Sequence, residues 1–267
     1  MRFFEDEALS RDAFLGGRVT LMQPKSGYRA GIDPVILAAA VPAHAGQSVL
    51  DLGCGAGAAV LCLGARVAGL ELFGVERQTE YAELARRNSA LNEIALTVLQ
   101  ADLAVGPMSF SELQFDHVIA NPPYFRDGAH SKAKDAGRAG SMGETNDLSH
   151  WIDVAARRLS PRGFLHVIQR TDRLPDILSA CSGRLGSIEV LPISARSGQK
   201  PNLVLLRARK SGRAAFQLHV PKVLHLEVSH TLDKGAYHPE INSVLRDAAA
   251  LIWPKNKAKE LGGLTGC

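Results

Sequence analysis

From Gln47 onward, short apolar runs alternate with longer amphipathic segments, the pattern of βαβ units around a mostly parallel sheet. Runs at residues 48–52, 72–76, 96–100, 115–120, 164–169, 187–193 and 203–208 predict seven strands. Helices are predicted over 58–70, 79–92, 147–159 and 172–181. Only residues 194–202 separate the last two runs, too few for a crossover helix, so those strands are predicted to pair antiparallel. The expected fold class is α/β and Rossmann-like: a seven-stranded, mostly parallel sheet, its last strand antiparallel, with helices on both faces.

Flanking segments are less regular. Residues 1–46 form an expected N-terminal extension that packs on the core and contributes to the substrate site. Within it, Asp33-Pro34 before an apolar run reads as a capped helix start. Residues 47–210 form the main domain. Residues 211–254 are expected to add a strand pair at 216–219 and 223–228 and a helix over 239–252, and polar residues 255–267 an unordered tail.

Composition narrows the class without choosing a function. With 46% apolar and 22% charged residues in 267, the chain is an ordinary globular protein rather than a fibrous or disordered one. The longest uncharged apolar run, 35–43, is far short of the roughly 18 residues that span a bilayer, and the first twelve residues are acidic, so a cytoplasmic protein is expected. Four cysteines form no CxxC pair and do not cluster with histidines, so no disulfide frame or metal site is implied. Charge is uneven: residues 126–213 hold 16 Lys and Arg against 8 Asp and Glu, whereas residues 1–125 hold 9 against 14. A basic middle suits a polyanionic partner, although solvated helix faces give the same count.

The first candidate site follows the first core strand. In Asp51-Leu-Gly-Cys-Gly-Ala-Gly, Gly53, Gly55 and Gly57 permit a tight turn and close approach of a ligand to the backbone beside Cys54. The spacing departs from the GxGxxG of nicotinamide dinucleotide enzymes. Asp51 would repel a pyrophosphate but suits a ligand carrying ammonium and sulfonium charges, which favours S-adenosylmethionine. Glu76 ends the next strand, placed to accept from ribose hydroxyls, and Asp102 follows the third, placed to accept from an adenine amine. Taken singly, each acid reads equally well as a cap on the next helix or turn.

The second site is Asn121-Pro122-Pro123-Tyr124, directly after the fourth strand and therefore at the same sheet edge. The lone pair of a planar exocyclic amine is delocalised and cannot attack a methyl group in line. An Asn121 side-chain oxygen and a Pro122 carbonyl, each accepting one amine hydrogen, would aim that lone pair. The prolines stiffen the loop, and the Tyr124 ring offers a stacking face.

These features resemble the class I S-adenosylmethionine-dependent methyltransferases over residues 47–210. The resemblance implies that Asp51, Gly53, Gly55, Glu76 and Asp102 hold the cofactor. The Asn-Pro-Pro-Tyr motif is similar to that of amino-methyltransferases acting on adenine N6, guanine N2 or glutamine N5. With the leader Gln23-Pro-Lys-Ser-Gly-Tyr-Arg-Ala-Gly-Ile-Asp and the late Tyr237-His-Pro-Glu, it resembles the bacterial tRNA adenine-N6 methyltransferases that modify the adenosine beside the anticodon of a valine tRNA. The implied partner is RNA, most of all tRNA. A glutamine-N5 protein methyltransferase and a non-catalytic RNA-binding module are the alternatives.

Substrate contacts are expected from Lys25, Tyr28 and Arg29, cations beside an aromatic ring, and from Arg126, Arg196 and Lys200 as phosphate contacts. Tyr28 reads equally as a packing residue, and Asp33 as a helix cap. The polar, basic stretch 125–140 reads either as a loop that folds over RNA or as a solvated one.

Overall fold

The computed structural model describes residues 3–103, 112–124, 148–226 and 236–254. Among these, the core strands are β3 (Ser48–Leu52), β4 (Glu71–Glu76), β5 (Thr97–Gln100), β6 (Phe115–Ala120), β7 (Leu159–Arg170), β8 (Leu185–Ser194) and β9 (Leu203–Lys210). They run in the order β8-β9-β7-β6-β3-β4-β5. Every pairing is parallel except those of β9, which is antiparallel to β7 and β8, as its short connection requires. The central strands are buried on both faces, so they carry continuous apolar runs such as Ser48-Val-Leu-Asp-Leu.

The helices are α1 (Asp33–Ala40), α2 (Ala58–Arg66), α3 (Thr79–Leu91), α4 (Leu148–Arg158), α5 (Leu174–Cys181) and α6 (Pro239–Asp247). One buried cluster joins α1, α2 and α6 to one sheet face; a second joins α4 and α5 to the other. From Pro34 to Ala40, α1 is buried all round. Its C-terminal carbonyls are closed by the chain's far end: Leu251 N–H donates to Ala39 and Trp253 Nε1 to Ala40, both at 2.9 Å.

Several boundaries differ from expectation. Helix α2 stops at Arg66 and not at 70, because Val67 is extended. Helix α6 stops at Asp247 and not at 252, because Ala248 turns left-handed at φ 58°. Residues 171–173 form a separate 3-10 turn before α5. Strand β7 begins at Leu159, straight out of α4, with a register shift at its start. The expected tail strands shrink to β10 (Gln217–Leu218) and β11 (Lys222–Val223), both parallel to β8, so the sheet has nine strands. Pro221, which lacks an N–H, lies between them.

A hairpin in the leader, β1 (Leu9–Phe14) with β2 (Val19–Pro24), was not expected. Its outer partner is not a strand but two asparagines four residues apart, Asn88 in the last turn of α3 and Asn92 at its C-cap. Asn92 accepts from Thr20 N–H at 2.7 Å and donates to the Thr20 carbonyl at 2.8 Å. Asn88, fully buried, does the same for Met22 at 2.7 and 3.1 Å, and donates also to the Ala56 carbonyl at 2.9 Å. Side-chain amides thus replace the ladder of a neighbouring strand.

Among the described residues no helix is long and apolar enough to cross a membrane, and no group of His, Cys, Asp or Glu could hold a metal ion.

Candidate active site

The ends of β3 and β6 open on a small cleft. Its walls include Asp51, Gly53, Cys54 and Gly55 from the glycine turn, Asn121 from the second motif, and Gln23, Tyr28, Ala30 and Pro34 from the leader. The two motifs found along the chain therefore meet in one space, and the leader closes it.

All three turn glycines are left-handed, with φ of 62° at Gly53, 55° at Gly55 and 86° at Gly57. At Gly53 a Cβ would lie 2.4 Å from the Trp151 ring of α4, so its absence serves packing as well as conformation. At Gly55 the nearest atom to a Cβ would be Tyr28 Cε1 at 3.9 Å, which leaves the backbone open to the cleft. Replacing Gly53 with alanine should therefore cost about 2 kcal/mol of stability from the backbone strain and the displaced indole. Thermal or denaturant unfolding of Gly53→Ala reads it directly, and an unchanged midpoint would contradict the packing.

Burial governs the acids. Asp51 is 3% exposed, and burial raises its pKa well above the ordinary carboxylate value, opposed by a bond from Val60 N–H. Glu76 is also raised by burial; Oε2 accepts from Gly55 N–H at 3.0 Å and Oε1 from Gln78 N–H at 2.8 Å. Glu76 thus holds the glycine turn and caps the approach to α3, but it is not among the residues that line the cleft. Asp51, a lining carboxylate disfavoured by desolvation, gives a site that gains from a cationic ligand. Asp102 is half-buried beyond β5, 3.8 Å from Arg77, and does not line the cleft. Gly57 lies behind it, at the N-cap of α2. Cys54 is buried with its thiol pKa raised, chiefly by burial, and its sulfur packs over Gly74, so it is wall rather than nucleophile.

Of the Asn-Pro-Pro-Tyr residues, Asn121 lines the cleft, but the Pro122 carbonyl is already bonded: Gln169 Nε2 donates to it at 3.1 Å. A carbonyl oxygen has two lone pairs, so this bond leaves one for an amine hydrogen. The reading of Asp33 is corrected, because it makes no helix cap; its carboxylate accepts the Tyr124 hydroxyl. Burial first, then Asp33, raises the Tyr124 pKa, so the phenol stays protonated. Tyr28 stands exposed at the mouth, its carbonyl accepting from Tyr81 at 3.2 Å. Desolvation, then Asp33 and Asp51, pushes its pKa up to about 12.

Two expected substrate cations are engaged within the leader. Arg29 pairs with Asp12 at 2.7 Å and donates to the Pro24 carbonyl at 3.0 Å; Asp12 in turn accepts from Gln23, which accepts Ala30 N–H. Lys25 donates to the Glu7 carbonyl at 2.8 Å. Arg29 thus braces the loop that carries Tyr28. Arg196 and Lys200 lie between β8 and β9 on the catalytic edge, with Arg196 donating to the Leu226 carbonyl at 3.2 Å. Arg126 and the whole 125–140 stretch fall outside the described residues. Gln169 and the bonding role of Asp33 escaped the sequence reading. The signal available for Gln169 is a polar residue closing a run, Phe164–Gln169, that is apolar apart from His166.

A parallel sheet with one reversed strand, a glycine turn over buried acids and an adjoining Asn-Pro-Pro-Tyr loop define a methyl-transferring class of enzyme. The chain belongs to the methyltransferase small domain family, whose model matches residues 30–190. It is 29% identical over 216 residues to a tRNA1(Val) (adenine(37)-N6)-methyltransferase of Porphyromonas gingivalis, covering 76% of this chain and 83% of that one. It is 27% identical over 250 residues to a protein of the same name from Yersinia enterocolitica, covering 87% and 92%. Among solved structures, a predicted O-methyltransferase from Agrobacterium tumefaciens superposes with a TM-score of 0.67 at 29% identity, over 82% of this chain and 98% of its own. The T. thermophilus 16S rRNA N2 G1207 methyltransferase, in complex with AdoMet and guanosine, shares the fold at a TM-score of 0.55 and 21% identity, over 76% and 50%.

Proposed function

We propose that the chain transfers a methyl group from S-adenosylmethionine to the exocyclic N6 of an adenine in tRNA. One observation carries this reading: Asn121 lines the same cleft as Asp51, Gly53 and Gly55. The cleft's residues fit the cofactor, since the buried Asp51 carboxylate favours a cation and the glycine backbone is open to a ligand. When bound, S-adenosylmethionine supplies an electrophilic methyl group. Asp51 and the Gly53–Gly55 backbone would hold it, with Glu76 and Asp102, at the ends of the next two strands, as further partners. Asn121 accepts one amine hydrogen, the free lone pair of the Pro122 carbonyl accepts the other, and the Tyr124 ring stacks on the base. The methylated amine loses its proton readily, so no tuned base is needed.

Relatives named for tRNA adenine N6, spanning most of this chain, favour this amine over glutamine, and Arg196 and Lys200 offer phosphate contacts at the same edge. A tRNA substrate puts the work in the cytoplasm. The test offers unmodified tRNA and, separately, a release factor, with labelled cofactor, followed by nucleoside and peptide mass spectrometry. N6-methyladenosine in tRNA is the expected product and locates the position; methylglutamine in its place would transfer the reading to a protein substrate.

A further inference from the structure

The Asn121–Tyr124 loop is short of donors. Its two prolines bring carbonyl oxygens but no N–H groups, so its buried carbonyls need a donor from elsewhere. Gln169, near the end of the neighbouring strand β7, supplies one. Its Nε2 lies 3.1 Å from the Pro122 oxygen and 3.5 Å from that of Pro123. The side chain is 0% exposed, in a strand whose other buried members include Leu165, Val167 and Ile168. A polar group there is costly unless each of its atoms is paired. The pairing is complete on the oxygen side too: Oε1 accepts Arg170 N–H at 2.8 Å. A backbone N–H only donates, so this bond dictates that the amide oxygen faces Arg170 and the NH2 faces the prolines.

We infer that Gln169 is a positioning residue for methyl transfer, holding the Pro122 carbonyl by one lone pair so that the other presents the amine to the cleft. This rests on the amine reading above. Proline fixes φ but not ψ, and a following proline only confines ψ to a broad extended range. The direction of the Pro122 carbonyl within that range is therefore chosen by whatever bonds to it, and Gln169 is what bonds to it.

Two variants separate positioning from packing. Gln169→Met keeps the volume and removes the donor; Gln169→Glu keeps the shape and can donate only when protonated. Both are assayed as full-length protein on tRNA, with kcat and KM measured from about pH 6 to 8.5 and cofactor affinity measured by calorimetry. Gln169→Met should lower kcat about 10- to 100-fold with cofactor affinity within about twofold. Gln169→Glu should be as slow at high pH and recover as the pH falls, a profile the unaltered protein lacks. Folded variants with unchanged kcat, or a Gln169→Glu pH profile like that of the unaltered protein, would overturn the role. Should Gln169→Met not fold, the Gln169→Glu profile decides. An unaltered protein inactive on tRNA would remove the amine reading instead.

Discussion

Replacing Asn121 with alanine should slow methyl transfer about a thousandfold while leaving cofactor affinity within a factor of about three. The asymmetry follows from what the side chain touches. Asn121 lines the cleft from the end of β6, whereas the Asp51 carboxylate and turn backbone that would hold the cofactor come from β3 and the loop after it. An adenine amine is planar in the ground state, with its lone pair spread into the ring, and must pyramidalise to attack. Accepting one of its hydrogens stabilises that geometry only as it forms, so the loss falls on the chemical step, at about 4 kcal/mol for a thousandfold effect. Single-turnover rates on tRNA, with calorimetric titration of the cofactor, separate the two quantities. A variant that bound the cofactor normally and kept its rate would remove Asn121 from the chemistry.

Acidification should destabilise the fold through a histidine pair inside the sheet. His117 and His166 are 3% and 1% exposed, with Nδ1 of the first 3.2 Å from Nε2 of the second. Gln47 Oε1 accepts from His44 N–H at 3.0 Å and lies 3.2 Å from His117 Nε2, so His117 donates there and accepts from His166. His166 Nδ1 is left as a buried acceptor with no partner. Both rings are neutral: burial lowers the His117 pKa to about 4 and that of His166 well below its usual value. An unfolded histidine titrates near 6.5, so between about pH 6.5 and 4 the unfolded chain binds more protons than the folded one. Stability is thus full above about pH 6.5 and falls on acidification, by about 2 kcal/mol per histidine at pH 5. Unfolding midpoints across pH 5 to 8 should drop by roughly ten degrees toward the acid end, and the double variant His117→Leu/His166→Leu should flatten that slope. A steep slope surviving in the double variant would place its origin elsewhere.

The seven core strands and their one reversal were legible because strands buried on both faces must be apolar throughout, and a loop of nine residues admits only a hairpin. The acids at the ends of β3 and β4, and Asn121 after β6, were legible for a related reason, since in a parallel sheet position in the chain dictates which edge a residue reaches. The leader hairpin was not. Ser10, Arg11 and Asp12 make β1 polar, and the hairpin's stabilising partners are the side chains of Asn88 and Asn92, far away in the chain and unremarkable within an amphipathic helix. Nor could Gln169 or Asp33 be assigned, since each acts through a contact across the fold, Gln169 on Pro122 and Asp33 on Tyr124. Arg29 has a local partner that its tyrosine neighbour does not reveal in the sequence, the Asp12 carboxylate across the leader.

Asn88 holds Met22 of the leader and Ala56 of the glycine turn with one amide. That one side chain is therefore a shared buried anchor: without it the Met22 N–H and carbonyl in the amino-terminal arm and the Ala56 carbonyl in the turn would all lose their partner together.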